Sequence, residues 1–347
     1  GQGFLDPGRQ EPERRPMPSI TDLPRETAFA RFHEGFGQRF ILTVDTEEEF
    51  NWNAPFQRSG HGLEHVGRLA KFQQFCEGLG IVPIYLIDYP IADSSRAAEI
   101  LRGPMEAGFA ETGAQLHPWV NPPYDEQVND FNSFAGNLPY ALERAKLLQL
   151  RDRICGNFGV LPRIYRAGRY GLGPNTARIL CEAGIAIDTS VRARFDYSSG
   201  GGRNYRDHPV HPYWIDTECK LLELPLTTVF TGALRKQAGR IYPALWRLPR
   251  MRGIMARLKL MERVPLTPEG VTVEEAIHAA DVAVDEGLPL LVFSFHSPSL
   301  HPGSTPYVRD EAELDRLYDW WRGLLAHLTK RGGRPTTVSE IMGSVEL

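Results

Sequence analysis

Short runs of β-branched and apolar residues alternate along most of this chain with stretches of helical periodicity. That alternation constrains the fold more than any other feature of the sequence. Residues 40–45 (FILTVD) read as a buried strand that stops at Asp45. Further strands are predicted at 82–88, 113–119, 163–166 and 185–188, with strand ends around 221–227 and 290–296. Between them, helices are predicted at 62–79, 93–107, 140–158, 174–183 and 310–331. In the last of these, Leu314, Leu317, Trp321, Leu324 and Leu328 recur at helical spacing. Segment 336–342 reads as a short closing strand or turn. The strands show near-continuous apolar runs, as expected when both faces are covered, so the class is α/β with a parallel sheet or a (β/α) barrel.

Folds of this class place chemistry at the C-terminal ends of their strands. The polar residues that end the predicted strands are therefore the candidates: Asp45 with Glu47, Glu48 and Glu49, then Asp88, His117, Arg166 with Arg169, Asp188, Glu223 and His296. A carboxylate at the end of an apolar strand is costly to desolvate without a metal, an arginine or backbone donors, although an aspartate there can also cap the next turn. Glu47 lies two residues beyond Asp45, so a continuing strand returns it to the same side. Otherwise the three glutamates are solvated loop charges. A carboxylate with the His117 imidazole suits Zn²⁺ or a similar divalent ion. His296, followed by Ser297 and Ser299, can serve as acid or base near neutral pH or be a satisfied structural histidine. His208 and His211 form a further candidate metal pair in a surface loop. The long stretch 120–139 is expected to cover the end of the third strand.

Composition narrows the function classes. With 347 residues, 42% hydrophobic and 24% charged, the chain is long enough for one large domain or two modest ones. A net charge of −4 gives no general attraction to nucleic acid. Neither G-x-G-x-x-G after a strand nor G-x-x-x-x-G-K-[ST] occurs, which argues against a dinucleotide or P-loop site. The four cysteines, Cys76, Cys155, Cys181 and Cys219, are widely spaced and read as buried thiols in a reducing compartment. With no signal-like apolar stretch near the start, the expected location is the cytoplasm. Residues 1–36, rich in Pro, Arg and Glu, read as a polar extension, and 37–347 as the barrel domain. Within it, 231–265 carries nine Arg or Lys against one Glu, interleaved with Leu and Ile. This segment reads as a basic helical insertion, either simply solvated or docking an anionic substrate, a lipid surface or a partner.

Five motifs, TVDTEE at 43–48, ETGAQLHPW at 111–119, YRAGRYG at 165–171, LELPLT at 222–227 and VFSFHSPSL at 292–300, follow one another in the order found in the polysaccharide deacetylase (NodB-homology) family. The sequence most resembles its WalW-type branch, over roughly 40–342. The resemblance implies a distorted (β/α) barrel, chemistry like that of carbohydrate esterase family 4, and a divalent metal, usually zinc. It implies Asp45 as catalytic base, Arg166 as the residue steadying it and His296 as general acid. Thr46 stands where the family has its metal-binding aspartate, so Glu47 is the expected substitute. Of the family's two histidine ligands four residues apart, only His117 matches, position 113 being Gly. Trp119, Tyr124 and Tyr170 offer flat faces to a sugar ring, and a backbone N–H near Tyr170 or Gly171 would receive an oxyanion. The implied activity is hydrolysis of an N-acyl group on an acylated sugar or glycan. The alternatives are cleavage of a non-peptide C–N bond in a small molecule, or a carbohydrate-binding relative that has lost its metal.

Overall fold

The structure, a computed structural model, describes residues 16–347. Its strands are β1 (Arg39–Thr46), β2 (Ile84–Ile87), β3 (Glu111–Leu116), β4 (Ile164–Ala167), β5 (Ile187–Asp188), β6 (Tyr213–Asp216), β7 (Leu221–Glu223), β8 (Thr228–Thr231), β9 (Glu262–Pro265), β10 (Leu290–His296) and β11 (Arg334–Pro335). The main sheet runs β10-β1-β2-β3-β4-β5-β7-β6, with β11 added beside β1. Every pairing in it is parallel except β6 with β7. The sheet curls into an incomplete barrel. The segments flanking the β8–β9 ribbon reach β10 through isolated bonds: the Val292 N–H donates to Thr227 Oγ1 at 2.8 Å, and the Ser294 N–H to the Leu266 carbonyl at 3.3 Å. The expected distorted (β/α) barrel is the observed architecture.

Side-chain alternation divides β1 into two faces. Phe40, Leu42 and Val44 point outward into the large core shared with the surrounding helices, where Phe72, Leu101, Leu150 and Trp321 meet them. Ile41 points inward and joins Ile84, Leu86, Ile164, Ile187 and Val292 in a second core inside the barrel. Phe36, Trp214, Val338 and Ile341 belong to this inner core as well, so segments from both ends of the domain fill it. The inward column of each strand turns from apolar to polar toward its C-terminal end: Ile41, Thr43, Asp45 on β1; Ile164, Arg166 on β4; Val292, Ser294, His296 on β10. The inner core thus fills one end of the barrel and leaves the other end for polar groups.

The helix predicted at 140–158 is observed as Tyr140–Phe158, burying Leu147, Leu150, Ile154 and Phe158 and stopping at Gly159, whose φ of 77° is left-handed. Three expectations change. Segment 336–342 is mostly helix, Val338–Ser344, because Thr337 caps it by accepting from the Glu340 N–H. The polar extension over 1–36 lies outside the described residues through Arg15, but from Ile20 it packs on the domain, with Ile20, Ala30 and Phe36 buried and Phe29 bridged to Tyr213. Cys181 and Cys219 are a disulfide with Cα atoms 5.8 Å apart, not separate thiols, because the end of the Thr176–Glu182 helix lies against the turn after β6. Cys76 is a buried thiol as expected. The sequence pattern also left unmarked the helix Val273–Asp285, whose buried side is mainly Ala276, Ala279, Ala280 and Ala283 and so gives little apolar contrast.

Candidate active site

Parallel pairing in register sets Asp45 beside His296 at the ends of β1 and β10. Gln115 on β3 is likewise the partner of Arg166 on β4. These side chains, with His117 one residue beyond β3, converge at the polar end of the barrel.

Arg166 is fully buried and held from three sides. Its Nε donates to the Thr189 carbonyl at 2.9 Å, its Nη2 to Thr43 Oγ1 at 3.1 Å, and its Nη1 to Asp45 Oδ1. That leaves Asp45 Oδ2 facing His296 Nε2 at 3.7 Å. The other ring nitrogen, Nδ1, bonds Glu269 Oε2 at 2.7 Å. Burial alone would depress the His296 imidazolium, but Glu269, Glu47 and Asp45 outweigh it and push the pKa up to about 10. His296 is therefore a cation at neutral pH, oriented by Glu269 and directed at Asp45. Asp45 does not cap the following turn. In that turn the Glu48 N–H donates to Asp88 Oδ2 at 2.8 Å, while Asp88 Oδ1 caps the helix after β2 by accepting from the Ile91 N–H at 3.0 Å.

The glutamates after β1 are not solvated. Glu47 and Glu48 are 2% and 0% exposed. His117 bridges them: Nδ1 lies 2.9 Å from Glu48 Oε2 and Nε2 lies 3.4 Å from Glu47 Oε2. Glu48 Oε1 accepts from the Trp119 indole at 2.9 Å, and its backbone N–H donates to Asp88 Oδ2 at 2.8 Å. Burial holds the carboxyls of Glu47 and Asp88 well above the usual carboxylate range, with Glu48 raised as well. Burial also pulls His117 down to about 4, so its ring is neutral at pH 7. Several buried acids around one neutral imidazole make a donor set suited to a divalent cation. Among the described residues, Glu48, Asp88 and His117 form a group whose ligand atoms lie within 4.8 Å of one another and could hold a metal ion. Of the other candidate histidines, His208 is buried edge-on against Tyr205, while His211 stacks on Phe29 with Nδ1 against the Pro212 carbonyl.

These groups open onto a cavity of about 1110 Å³ whose walls include Asp45, Glu47, His117, Gln115 and His296. Gln115 is 3% exposed and its Oε1 has no hydrogen-bond partner. Of the three aromatics expected to receive a sugar, Tyr170 lines the cavity. Trp119 does not: it is 2% exposed, stacked on His117 at 4.5 Å and covered by Phe56. Tyr124 sits away from the cavity under Arg58 and Lys146. The 120–139 stretch contributes nothing to the lining, because Lys146 pins its start by donating to the carbonyls of Pro118, Asn121 and Pro123. The wall comes instead from Phe50, Trp52 and Phe56 after β1 and from Tyr307. The Gly171 N–H is spent on the Gly168 carbonyl at 3.1 Å, so it is not an oxyanion donor.

The absent second histidine has a steric cause. Gly113 lies in the apolar part of β3, where a Cβ would stand 2.4 Å from Leu86 Cδ2 and 2.8 Å from the Ile164 carbonyl oxygen. Four residues of strand span roughly 13 Å, so a side chain there would not share a site with His117. Gly168, by contrast, makes room for the His117 ring, since a Cβ at 168 would meet its Cδ2 at 2.5 Å.

No protein-family model and no curated protein sequence matches the chain. Solved structures do resemble it. The 4-alpha-glucanotransferase from Thermococcus litoralis aligns with a TM-score of 0.51 and 14% identity, over 88% of this chain and 40% of that one. A family 4 carbohydrate esterase from Streptomyces lividans, in complex with acetate, aligns at 0.42 and 10% identity, over 89% and 97%. A family 4 acetyl xylan esterase from Clostridium thermocellum, in complex with a cobalt ion, aligns at 0.41 and 11% identity, over 88% and 91%. At such identities the likeness is one of fold.

Proposed function

We propose that this chain is a metal-dependent hydrolase that removes an N-acyl group from a sugar within a glycan, a deacetylase of the polysaccharide deacetylase (NodB-homology) kind and of its WalW-type branch. The observation that carries the reading is the series Arg166–Asp45–His296–Glu269, in which Asp45, His296 and Glu269 line a large cavity and Arg166 backs Asp45 from beneath. Amide hydrolysis needs a base to take a proton from water and an acid to protonate the departing nitrogen. Asp45 is the base, with Oδ1 occupied by Arg166 and Oδ2 left toward the cavity. His296 is the acid, kept protonated by Glu269. Water loses a proton to Asp45 as its oxygen bonds the acyl carbon, and the resulting tetrahedral intermediate then expels the nitrogen, which takes a proton from His296, leaving a carboxylate and an amine.

The residues for a divalent ion are Glu47 and His117 through Nε2. The Nδ1 side is already saturated, since both Glu48 oxygens and both Asp88 oxygens accept hydrogen bonds or face His117. Glu48 then fixes the ring so that Nε2 faces Glu47, the outer-shell arrangement usual for histidine ligands. When bound, such an ion supplies positive charge that polarises an acyl carbonyl. Trp52 and Tyr307, each about half exposed, and Tyr170 offer ring faces to sugar. The cavity slightly exceeds the ~300–1,000 Å³ of ordinary small-molecule pockets, which favours a glycan over a small amide.

Incubation of the purified protein with N-acetylated oligosaccharides and Zn²⁺ or Co²⁺ should release acetate and free amine in equal amounts, and Asp45→Asn should release neither. Absence of acetate with every divalent ion, together with no metal uptake, would overturn the assignment.

A further inference from the structure

The basic insertion folds as two short helices, Ala238–Trp246 and Pro249–Arg257, hung from the β8–β9 ribbon. It has a small core of its own, in which Ala238, Tyr242, Leu245 and Met261 are buried and Met255 is half-buried. Met255 anchors the second helix to that core. Elsewhere on the same helix and at its two ends, large apolar side chains are left in solvent: Leu248 is 55% exposed, Met251 43%, Ile254 48% and Leu258 63%. Their spacing of three, three and four residues puts them along one side of an α-helix. Arg250 and Arg257 are exposed on the same helix, and Arg247 and Lys259 are exposed just beyond its ends. No helix of the described residues is long and apolar enough to cross a membrane.

We propose that the stripe Leu248–Met251–Ile254–Leu258, edged by Arg247, Arg250, Arg257 and Lys259, docks this protein on an anionic lipid surface. The occupant follows from charge. Nine basic residues and one acid fall within 231–265 of a chain whose net charge is −4, so positive charge is concentrated where the apolar side chains emerge. Apolar residues immersed at the headgroup boundary with arginines beside them match an interfacial helix. A second copy of the same face would set these arginines against one another, which opposes a symmetric dimer through it. The insertion also joins the rim of the catalytic cavity. Arg263 on β9 lies 3.6 Å over Phe195, Phe195 stacks with Tyr197, and Tyr197 lines the cavity. A docked insertion therefore holds the cavity rim at the lipid surface, within reach of substrates carried there.

The test is flotation of the whole chain with vesicles of phosphatidylcholine alone and of phosphatidylcholine with phosphatidylglycerol. Binding is expected only to the anionic vesicles and should weaken at high salt. Arg250→Gln with Arg257→Gln should lower the partition coefficient roughly 25-fold, at about a fivefold loss for each charge. Met251→Ser with Ile254→Ser should abolish binding while leaving the circular dichroism spectrum and unfolding temperature near those of the parent, since both side chains are already solvated. No binding to anionic vesicles, or binding indifferent to both double variants, overturns the proposal. So does a dimer in solution that the serine variant dissociates, which would assign the stripe to a second copy.

Discussion

Asp45 and His296 are register partners on adjacent parallel strands, and their facing atoms, Oδ2 and Nε2, stand 3.7 Å apart. Two residues separated by most of the chain are thus placed by backbone hydrogen bonding alone. Each is oriented by one further buried group, Arg166 on one side and Glu269 on the other. Because the pair sits on strands and not on loops, its geometry is fixed before any ligand arrives.

Asp45→Asn should remove hydrolysis, but not without a structural cost. The change leaves the Arg166 guanidinium fully buried and without its carboxylate. Breaking a buried ion pair from one side costs about 3–5 kcal/mol. Arg166 keeps its bonds to Thr189 and Thr43, so the lower end of that range is expected. Denaturant unfolding of the variant would show the loss as a lower midpoint at unchanged slope. Asp45→Asn combined with Arg166→Met should recover much of the stability and none of the activity. Full activity in Asp45→Asn would remove aspartate from the role of base.

The metal assignment separates two sides of one imidazole. With the ion on the Nε2 side, Glu47→Gln should reduce zinc affinity by more than about a hundredfold, and Glu48→Gln by about 10–100-fold through loss of ring orientation. Asp88→Asn should then leave metal content largely intact. With the ion instead among Glu48, Asp88 and Nδ1, Asp88→Asn would strip it and Glu47→Gln would spare it. Metal analysis after gel filtration of the three variants distinguishes the arrangements. Chelation should abolish acetate release in the parent protein, and added Zn²⁺ should restore it.

Gly113→His, the histidine that the sequence resemblance would call for, should not supply a ligand, since position 113 lies in the apolar layer and not at the mouth. Even Gly113→Ala puts a methyl group against Leu86 and the Ile164 backbone, and overpacking of this kind costs about 1–3 kcal/mol. Thermal unfolding of Gly113→Ala should show a lower midpoint, and metal content should be unchanged. A Gly113→His protein that folds normally and binds more zinc would contradict the packing argument.

The sequence was most legible where one rule acted on every element. The end of an apolar strand is a local property, and it picked out Asp45, His117, Arg166 and His296, which the barrel then gathers. What it concealed depends on where loops travel. Glu48 and Glu49 look like solvent charges in TVDTEEEF, yet Glu48 is claimed by His117 and Trp119, and Glu49 by the buried His65 at 2.8 Å, whose other nitrogen reaches Ser297 at 2.8 Å. Trp119 is one of the three aromatics expected to offer a flat face to a sugar ring. Its indole is instead used to hold Glu48. Glu269 lies in a Gly/Pro-flanked stretch with no periodicity, so nothing local marked it as the partner of His296. The disulfide between Cys181 and Cys219 likewise depends on a strand order that spacing does not reveal.

Glu143 gives the fold a pH dependence of its own. It lies in the Tyr140–Phe158 helix, 2% exposed, with Oε1 accepting from Thr176 at 2.6 Å and Oε2 unpartnered. Burial raises its carboxyl to about 7 from the ordinary value of 4.5. An acid with a raised folded-state pKa binds its proton more tightly in the native protein than in the unfolded chain. Below about pH 4.5 both states are protonated and no penalty arises. Between about 4.5 and 7 the unfolded chain loses the proton while the native state keeps it, so stability falls as pH rises, levelling off above 7. At about 1.4 kcal/mol per pH unit, the loss over this window is on the order of 3–4 kcal/mol. Glu143→Gln retains an acceptor for Thr176 and does not titrate. Its unfolding free energy relative to the parent should therefore improve steadily from pH 4.5 to 7 and then stay constant. A difference between parent and variant that does not change with pH across that window would show that Glu143 is ionised in the folded protein.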